Sequence, residues 1–248
     1  MIHVHAVAVD PADQAVLLAT HTGLFRLPAG VSRPELVGTL RQDTMGFTVV
    51  GAGRYLGSGH PDIRTGQPPL LGLIASGDGG RTWSPVSLAG TVDFHILRAA
   101  GARVVGMDSQ TGKVLVSDDS GKRWTRHAPP GDLVDLVLDP ADPDRFVAST
   151  TTGLVASADA GRTWARLADG PGYLAWPRGG PLFRLAPDGR LAASTDAGRT
   201  WRERGTIGGE PSAFSAADAD RLLATLHEGA LMESRDGGAT WSTLAELE

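Results

Sequence analysis

The chain alternates short apolar runs with polar turns, and the same order of runs returns about every 40 residues. Within residues 133–167 the runs are LVDLVLDP, RFVAST and GLVASADAGRTWARL, which read as three β-rich segments, a turn and a fourth strand. No segment keeps the 3.6-residue period of an amphipathic helix over a dozen positions. Four short strands in each repeat predict the blade of a β-propeller rather than a helical solenoid.

A box of eight residues marks the turn before the fourth strand in five of the repeats. Its copies are SGDGGRTW, SDDSGKRW, SADAGRTW, STDAGRTW and SRDGGATW, which start at residues 76, 117, 157, 194 and 234. A first repeat lacks the box, yet its AVDPADQAVLLATHTGLFRL parallels LVLDPADPDRFVASTTTGLVAS in the fourth. The sequence therefore predicts an all-β fold, a six-bladed β-propeller of four-stranded antiparallel blades in one domain, 1–248. The expected blades are 3–42, 43–92, 93–131, 132–171, 172–209 and 210–248.

The residue types of the box suit a structural turn. A serine hydroxyl and an aspartate carboxylate can satisfy the turn amides, and a glycine can adopt positive φ. The tryptophan that ends each copy supplies a large aromatic surface to cover the blade. One carboxylate per turn is too few for a hard cation such as Ca²⁺. We therefore expect a structural role for the box aspartates, assigned as Asp78, Asp118, Asp159, Asp196 and Asp236.

Composition narrows the classes of function. The 33 glycines and 16 prolines fit many short strands joined by tight turns. The net charge is −5 without a basic run, so we expect no nucleic-acid partner. The apolar runs are too short to span a membrane. The chain has no cysteine, which excludes thiol catalysis and disulfides.

The first ten residues, MIHVHAVAVD, lack the basic head and the long apolar stretch of a signal peptide. We expect either a cytoplasmic protein or an exported domain whose leader has been removed. We also expect the protein to be a monomer.

Polar residues that the fold does not need gather in the first three blades. The predicted inner strands there begin with His3-Val4-His5, Asp43-Thr44-Met45 and Asp93-Phe94-His95. Residues two apart on a strand share a side, and alignment of the blades gives one equivalent position to His5, Met45 and His95. At that position the later blades carry Val134, Ala175 and Ala213. The loops between second and third strands add further polar groups: His21, His60, Asp62 and Asp108.

These residue types point to metal binding or to acid–base chemistry at the channel mouth of blades one to three. Imidazoles and carboxylates suit zinc, and a methionine beside them suits copper. The candidate ligands are His3, His5, His21, His60, His95 and Met45. Paired carboxylates with different pKa values could instead act as catalytic acid and base. The candidates for that role are Asp43, Asp62, Asp93 and Asp108.

The box resembles the bacterial neuraminidase repeat, or Asp box, S-x-D-x-G-x-T-W, with Arg123 in place of threonine in the second copy. The whole chain is similar to small bacterial Asp-box proteins known as glycosylhydrolase-like, of the sialidase and sortilin fold. The segments that carry this likeness are HVHAVAVDPAD, ATHTGLFRL, DTMGFTVVG, LGSGHPD and DFHILR. The resemblance implies that the boxes lie away from the ligand face and that the histidine and aspartate segments belong to the family pattern.

Three functions stay open. The first is a metal-binding propeller of unknown activity, with copper or zinc as the cofactor. The second is a glycoside hydrolase-like enzyme that uses rim carboxylates on a glycan or another small molecule. The third is a non-catalytic propeller that binds a protein or a small ligand. We do not expect classical sialidase activity, because FRLP (Phe25–Pro28) resembles the sialidase arginine motif but lies on a third strand rather than an inner one.

Overall fold

The computed structural model describes residues 3–247, and these residues form an all-β fold without a helix. The strands make six antiparallel four-stranded sheets, and neighbouring strands in each sheet follow one another in the chain. Six consecutive blades of this kind define a β-propeller, so the predicted fold class is confirmed. Within residues 3–247, no helix has the length and the apolar character that a membrane span requires.

The chain divides into two compact units of three blades each. The first unit extends to His127 and also includes Leu247, and the second is Ala128–Glu246. The strands of the first unit are β1 (Val4–Val9), β2 (Val16–Thr20), β3 (Gly23–Leu27), β4 (Glu35–Leu36), β5 (Asp43–Gly51), β6 (Arg54–His60), β7 (Leu73–Ser76), β8 (Ser84–Ser87), β9 (Phe94–Ala100), β10 (Arg103–Asp108), β11 (Val114–Ser117) and β12 (Thr125–His127).

The second unit contains the remaining three blades. Its strands are β13 (Leu133–Leu138), β14 (Phe146–Thr150), β15 (Gly153–Ser157), β16 (Ala165–Ala168), β17 (Tyr173–Ala175), β18 (Leu182–Leu185), β19 (Arg190–Ser194), β20 (Arg202–Thr206), β21 (Pro211–Ala216), β22 (Leu222–Leu226), β23 (Ala230–Ser234) and β24 (Ser242–Glu246). By comparison, β4 of the first unit, in the blade that lacks the box, is only two residues long.

The core of the first unit lies between adjacent blades. Every side chain of β2 (VLLAT) is buried. A strand that is covered on both faces has no need for alternating polar residues, which explains its continuous apolar run. Leu17 of β2 packs in one cluster with Phe47 and Tyr55 of the second blade. A further cluster joins Leu56 of the second blade to Phe94 of the third.

The core of the second unit follows the same plan. Leu154 of β15 and Leu182 of β18 belong to one apolar cluster, which joins the fourth blade to the fifth. Phe183 of β18 and Phe214 of β21 belong to another, which joins the fifth blade to the sixth. Aromatic side chains contribute a large apolar area to such contacts, and Phe183 and Phe214 do so between the fifth and sixth blades.

Most of the inner strands carry a β-bulge near their start. In β1 the ladder passes from Val4 to Ala6 while β2 advances by one residue, so His5 is the extra residue. A bulge bends its strand and re-aims the extra side chain. The equivalent extra residues are Met45 in β5, His95 in β9, Val134 in β13 and Ser212 in β21.

The bulges correct the predicted alignment of the later blades. The blade-six residue equivalent to His5 is Ser212, not Ala213. The ladder between β17 and β18 has no register shift, so Ala175 does not occupy a bulge. Alignment of the blades by sequence did not predict the bulges, because a bulge adds one residue to one strand without changing the apolar pattern of its partner.

Candidate functional site

The repeated boxes (76–83, 117–124, 157–164, 194–201 and 234–241) close their turns with the same hydrogen bonds. In the third box, Ser157 Oγ donates to Asp159 Oδ1 at 2.8 Å and accepts from the backbone N–H of Gly161 at 2.9 Å. Asp159 also accepts from the backbone N–H and the hydroxyl of Thr163, at 2.9 and 2.6 Å. The other boxes repeat the bond from serine to aspartate.

The second box requires a correction of one predicted residue. Ser117 donates to Asp119, and so does the backbone N–H of Arg123. The Arg123 Nε donates to Asp119 at 2.8 Å and replaces the threonine hydroxyl of the other boxes. Asp118 pairs instead with Arg103, and its side chain is 75% exposed. The assignment of Asp118 is therefore wrong, because SDD offers two adjacent aspartates and only the second can reach the serine in this turn.

Hydrogen bonds hold the box carboxylates in the charged form. The backbone N–H and then the hydroxyl of Thr82 lower the pKa of Asp78 to about 2. The corresponding threonine bonds lower the pKa to about 2 at Asp159, Asp196 and Asp236. These carboxylates accept hydrogen bonds from their own turns, so their geometry supports a structural role.

Three histidines and one aspartate meet between the first two blades, and we call His3, His5, His21 and Asp43 the first histidine cluster. The bulge in β1 presents His5, the β2–β3 turn presents His21, and β5 begins with Asp43. His5 Nε2 lies 3.1 Å from His21 Nδ1. These nitrogens lie 3.3 and 3.0 Å from Asp43 Oδ1. The three atoms form a nearly equilateral triangle.

His3 borders this triangle. Its ring stacks on that of His21 at a centroid distance of 5.1 Å and meets the His5 ring edge-on at 4.8 Å. Ligand atoms of the three imidazoles lie within 4.8 Å of one another. The His5 side chain is 9% exposed and that of His21 is 50% exposed, so the cluster opens to solvent on the His21 side.

Asp43 carries the negative charge of the first histidine cluster. Burial raises the pKa of Asp43, but the imidazoles of His5 and His21 outweigh burial and lower the pKa below its ordinary value of 3.8. Asp43 Oδ1 is nevertheless buried without a well-oriented hydrogen bond. A charged oxygen in this position needs a cation beside it, either a protonated imidazole or a metal ion.

A second group of polar side chains lies between blades two and three, and we call His60, Asp93, His95 and Ser109 the second histidine cluster. His60 ends β6, Asp93 immediately precedes β9, and Ser109 follows β10. Asp93 Oδ2 lies 2.9 Å from His95 Nε2 and 3.5 Å from His60 Nε2. The Ser109 hydroxyl donates to the same oxygen at 3.0 Å.

The other two candidate carboxylates are occupied by loop contacts. Asp62, which is 5% exposed, accepts from the backbone N–H of Arg64 at 3.0 Å and pairs with its guanidinium. That guanidinium holds the pKa of Asp62 well below its usual range. Asp108 accepts from the backbone N–H of Asp93 at 3.3 Å and from the Thr111 hydroxyl at 2.6 Å. Both side chains stabilise the loops that carry them and also join those loops to a neighbouring segment, Asp62 through the backbone N–H of Arg41 and Asp108 through that of Asp93.

The structure thus divides the predicted ligand set between two clusters. Met45 occupies the bulge of β5, and no hydrogen bond or ring contact within residues 3–247 joins it to either cluster. Ser109, which follows Asp108 in GMDSQTG, is not singled out by any sequence pattern. A serine in a turn has no chemical signature of its own, and only the pairing of β9 with β10 brings it to Asp93.

Comparison with known proteins supports the class of protein, a β-propeller. No family model and no curated protein matches the chain. A chain of the nidogen/laminin complex aligns with a TM-score of 0.70 at 13% identity, over 92% of this chain and 92% of that one. A GH74 xyloglucanase from Xanthomonas campestris aligns with a TM-score of 0.63 at 22% identity, over 97% of this chain.

A third similar structure is YCF48 from Cyanidioschyzon merolae, with a TM-score of 0.57 and 14% identity, over 98% of this chain and 84% of that one. This chain spans 45% of the length of the xyloglucanase. Likeness at these identities shows the shared β-propeller fold alone, because function depends on the residues placed upon a fold.

Proposed function

We propose that this β-propeller binds a divalent transition-metal ion through the first histidine cluster. The proposal rests on the triangle of His5 Nε2, His21 Nδ1 and Asp43 Oδ1, whose edges are 3.1, 3.3 and 3.0 Å. Ligands at 2.0–2.1 Å from one ion lie about 2.9 Å apart at a right angle and about 3.4 Å apart at the tetrahedral angle. The three donor atoms therefore have the spacing of ligands that share one ion.

The donor types favour zinc or copper. Imidazole nitrogen suits both ions, whereas calcium and magnesium prefer shells of oxygen. His3 adds a third imidazole close to the triangle. Three imidazoles and one carboxylate would fill the four positions of a tetrahedral zinc site.

The boxes support a relationship to the small glycosylhydrolase-like Asp-box propellers. Each of the five turns has the serine-to-aspartate bond, and each ends on a tryptophan. Glycoside hydrolysis itself gains no specific support, because Asp62 and Asp108 are engaged by their own loops. Whether the protein also binds a glycan or a protein partner stays a prediction.

Metal content measured by mass spectrometry tests this proposal. We expect protein loaded with Zn²⁺ or Cu²⁺ and then dialysed to lose one metal equivalent on His5→Ala or His21→Ala substitution. His127→Ala is the matched control, because His127 lies in β12 outside both clusters, and it should retain the wild-type content. Unchanged metal content in both cluster variants would contradict the proposal.

A further inference from the structure

Asp93 of the second histidine cluster is a buried charge that its hydrogen bonds only partly compensate. The residue is 1% exposed, and its Oδ1 is buried without a partner. Burial raises the pKa of Asp93, but His95, Ser109 and His60 outweigh burial and lower the pKa below 3.8. A buried, ionised carboxylate is stable only beside a cation.

A hydrogen bond at Nδ1 of His60 determines which of its two nitrogens is free to act as a ligand. His60 Nδ1 lies 3.0 Å from the carbonyl oxygen of Pro69. A carbonyl can only accept, so Nδ1 carries the hydrogen, and in the neutral ring Nε2 presents its lone pair. This lone pair faces Asp93 Oδ2 at 3.5 Å. A carbonyl that orients the far side of an imidazole is the usual outer contact of a metal-ligating histidine.

Each imidazole lies at a distance from Asp93 Oδ2 that suits two neighbouring ligands of one ion. Within residues 3–247 only the first histidine cluster already holds three ligand atoms within 4.8 Å of one another, so an ion at Asp93 requires the imidazoles of His60 and His95 to turn towards it. The oxygen lies 2.9 Å from His95 Nε2 and 3.5 Å from His60 Nε2. These values are close to the separation of two ligands on one ion, about 2.9 Å at a right angle and about 3.4 Å at the tetrahedral angle. The imidazoles of His60 and His95 are 43% and 38% exposed, so both rings are accessible to an ion from solvent.

We propose that His60, Asp93 and His95 bind a second divalent metal ion, separately from the first histidine cluster. Ser109, which donates to Asp93 Oδ2, is the positioning residue of this site. Three protein ligands leave a coordination position for water or for an oxyanion, as in catalytic zinc sites. The second site would therefore be the open one, whereas the first cluster can close its shell with His3.

The two sites lie side by side without sharing a ligand. Asp43 of the first cluster pairs directly with His60 of the second in the ladder between β5 and β6. Directly opposed residues on such a ladder have Cβ atoms about 4.5–5.5 Å apart. The proposal does not depend on the first site, and each site can be removed by its own substitution.

Nuclear magnetic resonance of the seven histidine rings separates the two sites. In a Zn²⁺ titration of protein labelled at histidine, we expect the Cε1–H signals of His60 and His95 to shift together. In His21→Ala the His60 and His95 shifts should remain while those of the first cluster are lost. In His95→Ala the His60 shift should be lost while the first cluster still responds. Unchanged His127 and His227 signals would show that each variant is folded.

The outcomes distinguish this proposal from that for the first cluster. If only His60 and His95 respond to Zn²⁺, the second site stands and the first falls. If only the first cluster responds, the second site is overturned. Signals of His60 and His95 that move with pH but not with Zn²⁺ would also overturn it, because a protonated imidazole would then be the cation beside Asp93.

The open coordination position has its own readout. The His21→Ala variant loaded with Co²⁺ should hold the ion at the second site, and its visible absorption bands should shift when inorganic phosphate is added. A spectrum that phosphate leaves unchanged would contradict an exchangeable position. The Ser109→Ala variant should retain the cobalt bands but bind Co²⁺ about 10–100-fold more weakly, as expected for loss of an outer-shell contact.

Discussion

At the scale of single residues, the surrounding hydrogen-bond donors decide whether an aspartate stabilises a turn or is available to bind a cation. Asp119 receives hydrogen bonds from Ser117 and from the backbone and side chain of Arg123. Asp93 is far more buried, yet one of its oxygens has no partner. A carboxylate whose oxygens all accept hydrogen bonds stabilises its turn. A buried carboxylate with an unpaired oxygen favours a cation beside it.

The two neighbouring aspartates of the second box allow a matched test by pH. Arg123 lowers the pKa of Asp119 below its unfolded value of about 3.9. Its bonds therefore stabilise the fold above about pH 4, and this contribution is lost as the pH falls towards the folded pKa. We expect Asp119→Asn to reduce the loss of unfolding free energy between about pH 4 and pH 2, measured by urea denaturation.

Asp118→Asn is the control for this prediction. Its side chain is 75% exposed and pairs only with Arg103 among the ion pairs described. We expect its acid denaturation profile to follow that of the wild type. Equal profiles for both variants would show that the bonds to Asp119 contribute nothing to acid stability.

At the scale of the element, the box turn places two successive residues at positive φ. In the third box these are Ala160 at 59° and Gly161 at 79°. The first position is alanine or serine in three boxes, so it tolerates a side chain. The second is glycine in every box, and a Cβ on Gly161 would lie 3.2 Å from Phe146. The close approach of the turn to the blade core thus explains the invariant glycine.

This asymmetry predicts a clear loss of stability for one of two adjacent substitutions and little change for the other. Gly161→Ala should lower the unfolding free energy by about 1–2 kcal/mol, because its Cβ would lie 3.2 Å from Phe146 in addition to the cost of positive φ. Ala160→Gly should change it by less than about 1 kcal/mol, since relief of strain offsets the added freedom of the unfolded chain. Chemical denaturation of both variants measures the difference. A Gly161→Ala protein as stable as the wild type would disprove the steric explanation.

At the scale of the whole molecule, the proposed metal sites would join separate blades. The first histidine cluster draws on β1, the β2–β3 turn and β5, which belong to two blades of the first unit. The second draws on the next pair of blades through β6 and the residues that flank β9 and β10. An ion that binds such ligands only in the folded state stabilises the fold.

This coupling predicts a metal-dependent melting temperature. Zn²⁺ at 100 times its dissociation constant should add about 2.7 kcal/mol for each site. For a protein of this size, one site then corresponds to an increase in Tm of about 5–10 °C, measured by calorimetry. Chelation should reverse the increase, and His5→Ala should reduce it while His127→Ala should not. A Tm that is insensitive to Zn²⁺ would contradict binding at the first cluster and at the second.

The sequence alone determined the fold class. Four short β-rich runs and one turn recur with nearly constant spacing, and each copy forms its strand ladder within its own blade. Local contacts of this kind can be predicted because neighbouring residues in the chain satisfy them. The histidine-rich segments of the first three blades were also visible, since their residue types are not required by an apolar core.

Only the tertiary structure decided which of these residues meet. One extra residue in each bulge re-aims His5 and His95, and the pairing of Asp43 with His60 sets two clusters side by side. Asp108 turns to its own loop, whereas Asp93, which pairs with the same segment, faces the histidines. The physical reason is that side-chain direction depends on strand register and on contacts between blades, which one bulged residue changes and local sequence does not record.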